Sequence, residues 1–309
     1  VPSAGSTATA RALGLDWAIH VPKAPVNTGA VSDIAADAHG DVYLADGVTS
    51  TVRVYGPNGS LVRSWGVGGT GPGQLDFHVP STGNPLVGGT VAVDPRGTVY
   101  VGSPGTGRIQ AFDAHGRFLR GWGGIGDGRS KFTLLVRVMV GPHGEVYAID
   151  DMPGGDAVQV FSPAGTFLRG YGTFAGSGIS TPTLAGVAPN GEVFLADPGL
   201  TGNGGVVHPK MIRFGANGRI VGTWGTFGVD LGEFQTPYSV VVDEAGHVLV
   251  GDTQSGQVQE FAADGTPVAA FDLSAGGSVT PWGIALDGRG GLFVLDDNTF
   301  MLYRFRLPG

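Results

Sequence analysis

The sequence predicts an all-β fold: a six-bladed β-propeller of four-stranded antiparallel blades, closed on itself. Three observations predict it. An aromatic followed four residues later by glycine recurs as Tyr55–Gly59, Phe112–Gly116, Phe161–Gly165, Phe214–Gly218, Phe261–Gly265 and Phe305–Gly309. The first five carry a second aromatic six residues beyond the glycine, at Trp65, Trp122, Tyr171, Trp224 and Phe271. The sixth lacks that half, and Leu13-Gly14-Leu15-Asp16-Trp17-Ala18 near the other end matches Leu61-Val62-Arg63-Ser64-Trp65-Gly66. A unit split between the termini suits a ring, whose first and last strands lock together.

The elements follow in chain order. Residues 1–10 are small and polar and read as a flexible tail or linker, with the propeller over 11–309. They lack the basic start and apolar core of a signal peptide. Residues 11–17 supply the outer strand d of the last blade, and 281–309 supply its strands a, b and c. Deleting residues 1–17 is therefore expected to destabilise the fold far more than deleting 1–8. Each blade opens on an apolar run such as Ile34-Ala35-Ala36-Asp37, Val91-Ala92-Val93-Asp94 or Val240-Val241-Val242-Asp243, with glycine three residues later. A run this apolar is a strand covered on both faces, so it is the innermost, strand a. Strand b alternates and is β-branched and aromatic, as in Asp41-Val42-Tyr43-Leu44-Ala45 and Glu145-Val146-Tyr147-Ala148-Ile149. Strand c ends on the first aromatic of each unit and strand d carries the second.

Composition agrees and excludes several functions. Glycine (57) and proline (20) make up about a quarter of the 309 residues, but they recur at turns between valine-rich and aromatic runs. Cysteine is absent, which removes disulfide and thiolate chemistry. No apolar stretch is long enough to span a membrane. A net charge of −8 and the lack of a basic run argue against nucleic acid as a partner.

The pattern apolar-x-apolar-Asp-x-x-Gly-x-apolar-Tyr-apolar-x-Asp, followed by Arg-apolar-x-x-Phe-x-x-x-Gly, resembles the NHL repeat. So do the connectors Trp65-Gly66…Gly71-Pro72-Gly73-Gln74-Leu75 and Trp224-Gly225…Gly232-Glu233-Phe234-Gln235-Thr236-Pro237. The resemblance covers residues 11–309. It implies the propeller fold, and three kinds of role: extracellular sensor domains of bacterial serine/threonine kinases, protein- and RNA-binding modules, or a lyase cleaving peptidyl-α-hydroxyglycines. That lyase uses channel histidines as metal ligands, and three histidines are not found at the channel-lining strand-a positions of this sequence. Fold does not by itself imply function.

Repeat register sorts the polar residues. Asp46, Asp150, Asp197, Asp252 and Asp296, with Ser103 in blade 2, share one position at the end of strand b. There a carboxylate accepts backbone N–H groups of the b–c turn, so these read as scaffold rather than metal ligands. His39, His115, His143 and His247 fall in bottom-face turns of different blades, and no pair has a zinc-motif spacing. No metal site is assigned. Trp17, Trp65, Trp122, Tyr171, Trp224 and Phe271 read as packing between blades.

The departures from register lie on one face. From the strand-b Asp or Ser to the strand-c aromatic the step is 9 residues in blades 1, 2, 5 and 6, but 11 in blade 3 (150→161) and 17 in blade 4 (197→214). From the strand-d aromatic to the next strand-a Asp position it is 29 between blades 1 and 2 (65→94) and 16–20 elsewhere. Both loop types lie on the top face, where such scaffolds hold binding residues. The candidate ligand-binding residues are Asp33, His78, Arg137, Asp151, His208, Tyr238 and Trp282. Arg137 is either a bidentate carboxylate or phosphate binder, or a structural partner of Asp33, Asp150 or Asp151. Tyr238 and Trp282 are either an aromatic wall for a ligand or a plug in the channel mouth.

These residues favour an extracellular or cell-surface binding propeller. It would be a monomer that takes an unidentified protein or small-molecule ligand at the top face around blades 2–4, with no cofactor. The alternative is a metal-dependent lyase or hydrolase at the mouth of the central channel, and only that reading needs a divalent metal there. A third reading is an interaction hub using the bottom face. Only Lys23, Lys131 and Lys210 among 18 basic residues are lysine, which suggests a GC-rich bacterial source.

Overall fold

The structure, a computed structural model, describes residues 10–21, 33–78, 88–150, 156–173, 179, 184–199, 208–296 and 298–308. It contains the six four-stranded blades. Blade 1 is Asp33–Ala36, Val42–Asp46, Thr51–Tyr55 and Leu61–Trp65. Blade 2 is Thr90–Val93, Val99–Ser103, Arg108–Phe112 and Phe118–Gly123. Blade 3 is Leu135–Val140, Val146–Asp150, Asp156–Phe161 and Phe167–Thr173. Blade 4 is Ala185–Val187, Val193–Asp197, Lys210–Phe214 and Ile220–Trp224. Blade 5 is Pro237–Val242, Val248–Asp252, Gln257–Phe261 and Pro267–Asp272. Blade 6 is Gly283–Leu286, Gly291–Asp296, Met301–Arg306 and, from the other end of the chain, Gly14–His20. Neighbouring strands within each blade are antiparallel, and each strand a touches the next around the ring, from blade 6 back to blade 1.

Closure follows the expected phase with one correction. The strand d that completes blade 6 is Gly14–His20, paired from Gly14↔Arg306 to His20↔Met301, not residues 11–17. Arg11 and Ala12 instead lie parallel to Phe271 and Asp272, as a fifth strand on the edge of blade 5. Leu13 marks the crossover: its N–H donates to Asp272 O at 3.1 Å and its side chain is buried between blades 5 and 6. The periodicity extended blade 6 backwards because residues 11–12 have no counterpart in the repeat.

The hydrophobic core is divided into six. Each cluster lies between two adjacent blades: Tyr43, Ala45, Val52 and Val54 of blade 1, for example, meet Val91, Val99, Val101 and Phe112 of blade 2. The strand-d aromatics are the inter-blade packing the register assigns to them. Trp65 lies 4.6 Å from Phe112, Trp122 5.8 Å from Phe161, Tyr171 5.4 Å from Phe214 and Trp224 6.0 Å from Phe261, between ring centroids. Each ring also covers the c–d turn glycine of the next blade. A Cβ on Gly116, whose φ is +83°, would lie 2.2 Å from Trp65 Cγ. The aromatic-to-glycine spacing is thus the floor and wall of a slot for the preceding blade's aromatic.

The ring aspartates are scaffold, as expected. Asp46 Oδ1 accepts the N–H of Val48 at 2.9 Å, and Asp296 Oδ1 those of Asn298 at 2.9 Å and Thr299 at 3.1 Å. Asp252 accepts four, from Gln235, Thr236, Gln254 and Ser255, and so ties the connector entering its blade to its own b–c turn. Asp150 accepts from Thr133 and Leu134 in the same way; burial nevertheless raises its pKa above the usual carboxylate value, against the pull of those two N–H groups. Three glutamines that register did not single out clamp the glycine-rich connectors. Gln110, Gln159 and Gln259, each two residues before the strand-c aromatic, accept the N–H of Gly73, Ser130 and Gly232 at 2.8 Å. Their amides donate back to the same loops, at Gln74 O, Lys131 O and Glu233 O. The recurrent Gln-x-Phe was the available signal.

Candidate functional site

The six strands a line a central channel of about 180 Å³ with small and aliphatic side chains, and Arg137 is the charged residue among its described lining. Strand a begins at the top face, so its first residues form the top mouth. Here the structure brings together residues of three blades. Asp33 Oδ1 accepts the N–H of Ile34 at 2.8 Å and a guanidinium N–H of Arg137. Its Oδ2 accepts Thr90 Oγ1–H at 2.7 Å and Val91 N–H at 3.0 Å. Thr90 Oγ1 in turn accepts Val138 N–H at 3.0 Å. Both charged side chains are more than nine-tenths buried, at 8% and 7% exposure for Arg137 and Asp33. Among the described residues, Asp33 is the partner that Arg137 takes. Four donors fill the Asp33 carboxylate, as charge burial requires.

On the opposite side of the mouth, Tyr238 of blade 5 and Trp282 of blade 6 meet edge to face, with ring centroids 4.8 Å apart at 75°. The ring of Tyr238 is buried and Trp282 is partly so. Ser239 Oγ–H donates to Pro281 O at 3.0 Å and joins the same two blades. His78 and His208 do not join either pair: both are exposed, and His78 Nδ1 lies 3.0 Å from Asp76 Oδ1. Asp151 lies outside the described residues. The inserted stretches of the top loops, 79–87, 151–155 and 200–207, lie outside them too.

At the bottom mouth lies a vestibule of about 580 Å³, walled chiefly by the a–b turns of blades 1, 2, 5 and 6. Its carboxylates mostly brace their own turns. Asp37 accepts the N–H of His39 and Asp41, and Asp94 those of Arg96 and Thr98. Burial pushes the Asp287 carboxyl up; the Arg304 guanidinium at 2.9 Å and the N–H groups of Arg289 and Gly291 outweigh it, and the net pKa falls below the usual value. At the edge of this vestibule His247 stands between Asp243 and Glu260, a cluster that sequence spacing did not reveal. The only local signal was an Asp and a His four residues apart across the a–b turn, with Glu260 reached through the b–c hairpin.

The class that ring, channel and mouths define is the six-bladed β-propeller. No family model matches the sequence. Among solved structures the chain is similar to hydrazine synthase from Kuenenia stuttgartiensis, at 12% identity and TM-score 0.59 over 93% of this chain and 97% of that one. It is similar to a gluconolactonase from Xanthomonas campestris, at 14% identity and TM-score 0.58 over 91% and 88%. It is also similar to virginiamycin B lyase from Staphylococcus aureus, at 12% identity and TM-score 0.55 over 95% and 88%. At these identities the likeness shows the fold alone.

Proposed function

We propose that the protein is an NHL-type binding propeller, extracellular or on the cell surface of a bacterium, that takes a protein or small-molecule ligand on its top face around blades 2–4. The observation that carries the reading is where the repeat breaks. Scaffold positions keep register in all six blades, and the length insertions gather in top-face loops around blades 2–4. At the same face the channel mouth carries Asp33, which accepts from both Arg137 and Thr90, and across it Tyr238 set against Trp282. Insertions in the loops of one face of a regular scaffold are where binding residues are commonly placed.

The second reading, a metal-dependent lyase or hydrolase at the channel mouth, is supported by the printed names of two structural neighbours, a gluconolactonase and a lyase. It would require Asp33 to exchange Arg137 for a metal ion. One experiment separates the two. Glycan and peptide arrays would be probed with the wild-type chain, with a variant whose insertions at 79–87 and 200–207 are cut to the repeat length, and with the bottom-face variant Arg96→Ala. Binding lost on loop shortening and kept in Arg96→Ala supports the top-face reading, provided both variants melt as the wild type does. Binding lost in Arg96→Ala and kept on loop shortening moves the site to the bottom face. Stoichiometric metal by plasma mass spectrometry, lost together with lactone or ester hydrolysis in Asp33→Asn, overturns the binding reading in favour of the enzyme.

A further inference from the structure

The bottom face carries a register position that is arginine in two blades and glutamate in a third. The residue before the strand-c aromatic faces the a–b turn. In blade 4 it is Arg213, whose guanidinium bonds Glu192 at 2.7 Å. In blade 6 it is Arg304, which bonds Asp287 at 2.9 Å. In blade 5 the same position is Glu260, and the position of Glu192 is taken by His247. Blade 5 thus carries an acid where blades 4 and 6 carry an arginine, beside the turn acid Asp243. His247 Nδ1 lies 3.1 Å from Asp243 Oδ2 and 3.3 Å from Glu260 Oε1. Among the described residues no arginine or lysine forms an ion pair with either carboxylate. Two carboxylates thus face an imidazole in blade 5 where blades 4 and 6 set an arginine against the turn.

We propose that Asp243, His247 and Glu260 form a binding site for a divalent transition cation of the zinc class. Zinc takes imidazole nitrogen and carboxylate oxygen at about 2.0–2.2 Å, which in a tetrahedron sets ligand atoms about 3.3–3.6 Å apart. The two separations from Nδ1 are close to that, and all three ligand atoms lie within 4.8 Å of one another. Asp243 is set in place by the turn: its Oδ1 accepts His247 N–H at 2.7 Å, which turns Oδ2 toward the imidazole. Glu260, on a strand with a longer side chain, closes the remaining gap by rotation. An imidazole with only two carboxylates suits zinc, cobalt or nickel, whereas calcium seeks six to eight oxygens. The three side chains are partly exposed, so the fourth coordination position opens to water or to an acidic or histidine group of another molecule.

The test is calorimetric titration of the full chain with zinc chloride and, separately, calcium chloride. One saturable zinc site is expected, with Glu260→Gln weakening it at least about tenfold and His247→Ala removing it. Asp33→Asn, at the other end of the channel, should leave it unchanged, which separates this site from any metal at the top mouth. Glu260→Arg gives blade 5 the arginine of blades 4 and 6; it should keep the metal-free melting temperature and lose zinc, so that lost binding is not mistaken for unfolding. No saturable zinc uptake overturns the proposal. So does uptake that Glu260→Gln and His247→Ala leave intact, which would place the ion at His39 and Asp37 or at His78 and Asp76.

Discussion

Leu13→Ala tests the closure of the ring at its narrowest point. The side chain is 3% exposed and is packed in the cluster between blades 5 and 6, with Phe271, Leu273, Tyr303 and Phe305. Truncating a buried leucine removes its transfer energy and leaves a cavity, together about 3–5 kcal/mol where the surroundings cannot collapse. Here they are held by strands on both sides, Arg11–Ala12 on blade 5 and Gly14–His20 on blade 6. For a chain of 309 residues the unfolding entropy near the midpoint is about 0.65 kcal/mol/K, so the midpoint should fall by about 5–8 °C. The assay is differential scanning calorimetry beside Val268→Ala, an exposed change on the outer strand of blade 5 expected to cost under about 0.5 kcal/mol, below about 1 °C. The core is six interfaces in a ring, so one weakened junction should lower the whole transition. If Leu13→Ala melts within about 1 °C of wild type, the amino-terminal segment does not latch the ring and the closure argument fails. The same logic makes removal of residues 1–17 much more damaging than removal of 1–8.

Two further predictions concern buried charge. Arg137→Ala should cost about 3–5 kcal/mol in urea denaturation, because it leaves Asp33 charged and buried without its cation; the double change Asp33→Asn with Arg137→Met should recover most of it. A loss below about 1 kcal/mol would mean that the pair is screened by water. For Asp287, the folded pKa lies below the unfolded value near 3.8, so its stabilisation is present above that pH and is lost as pH falls through the folded pKa. Asp287→Asn should therefore lower the melting temperature at about pH 7 and converge with wild type in acid, and parallel curves down to about pH 2.5 would refute this.

Much of the scaffold could be read before folding because each feature recurs at a fixed local spacing. The glycine under each strand-d aromatic, the strand-b aspartate over its b–c turn and the apolar strand a repeat six times or nearly so, and the structure places them in equivalent surroundings. The candidate site was legible only as a list of positions. Asp33 and Arg137 are 104 residues apart and belong to blades 1 and 3, which are not neighbours in the ring. Sequence left Arg137 between a ligand role and three acidic partners; the geometry pairs it with Asp33, through a mouth narrow enough for a guanidinium to cross beside blade 2. The connector glutamines were overlooked because their partners are backbone groups some 30 residues away, which carry no side-chain signal.

By itself the sequence determined the number of blades, the phase in which the termini meet and the turns that glycine must occupy. These are local rules of spacing, turn geometry and alternation, and repetition makes them unambiguous. Only the tertiary structure decided what the ring brings together: Leu13 at the junction of two blades, Asp33 with Thr90 and Arg137 at the top mouth, and Asp243 with His247 and Glu260 below. Those meetings depend on ring radius and side-chain reach across blades, and neither is written in the period of the repeat.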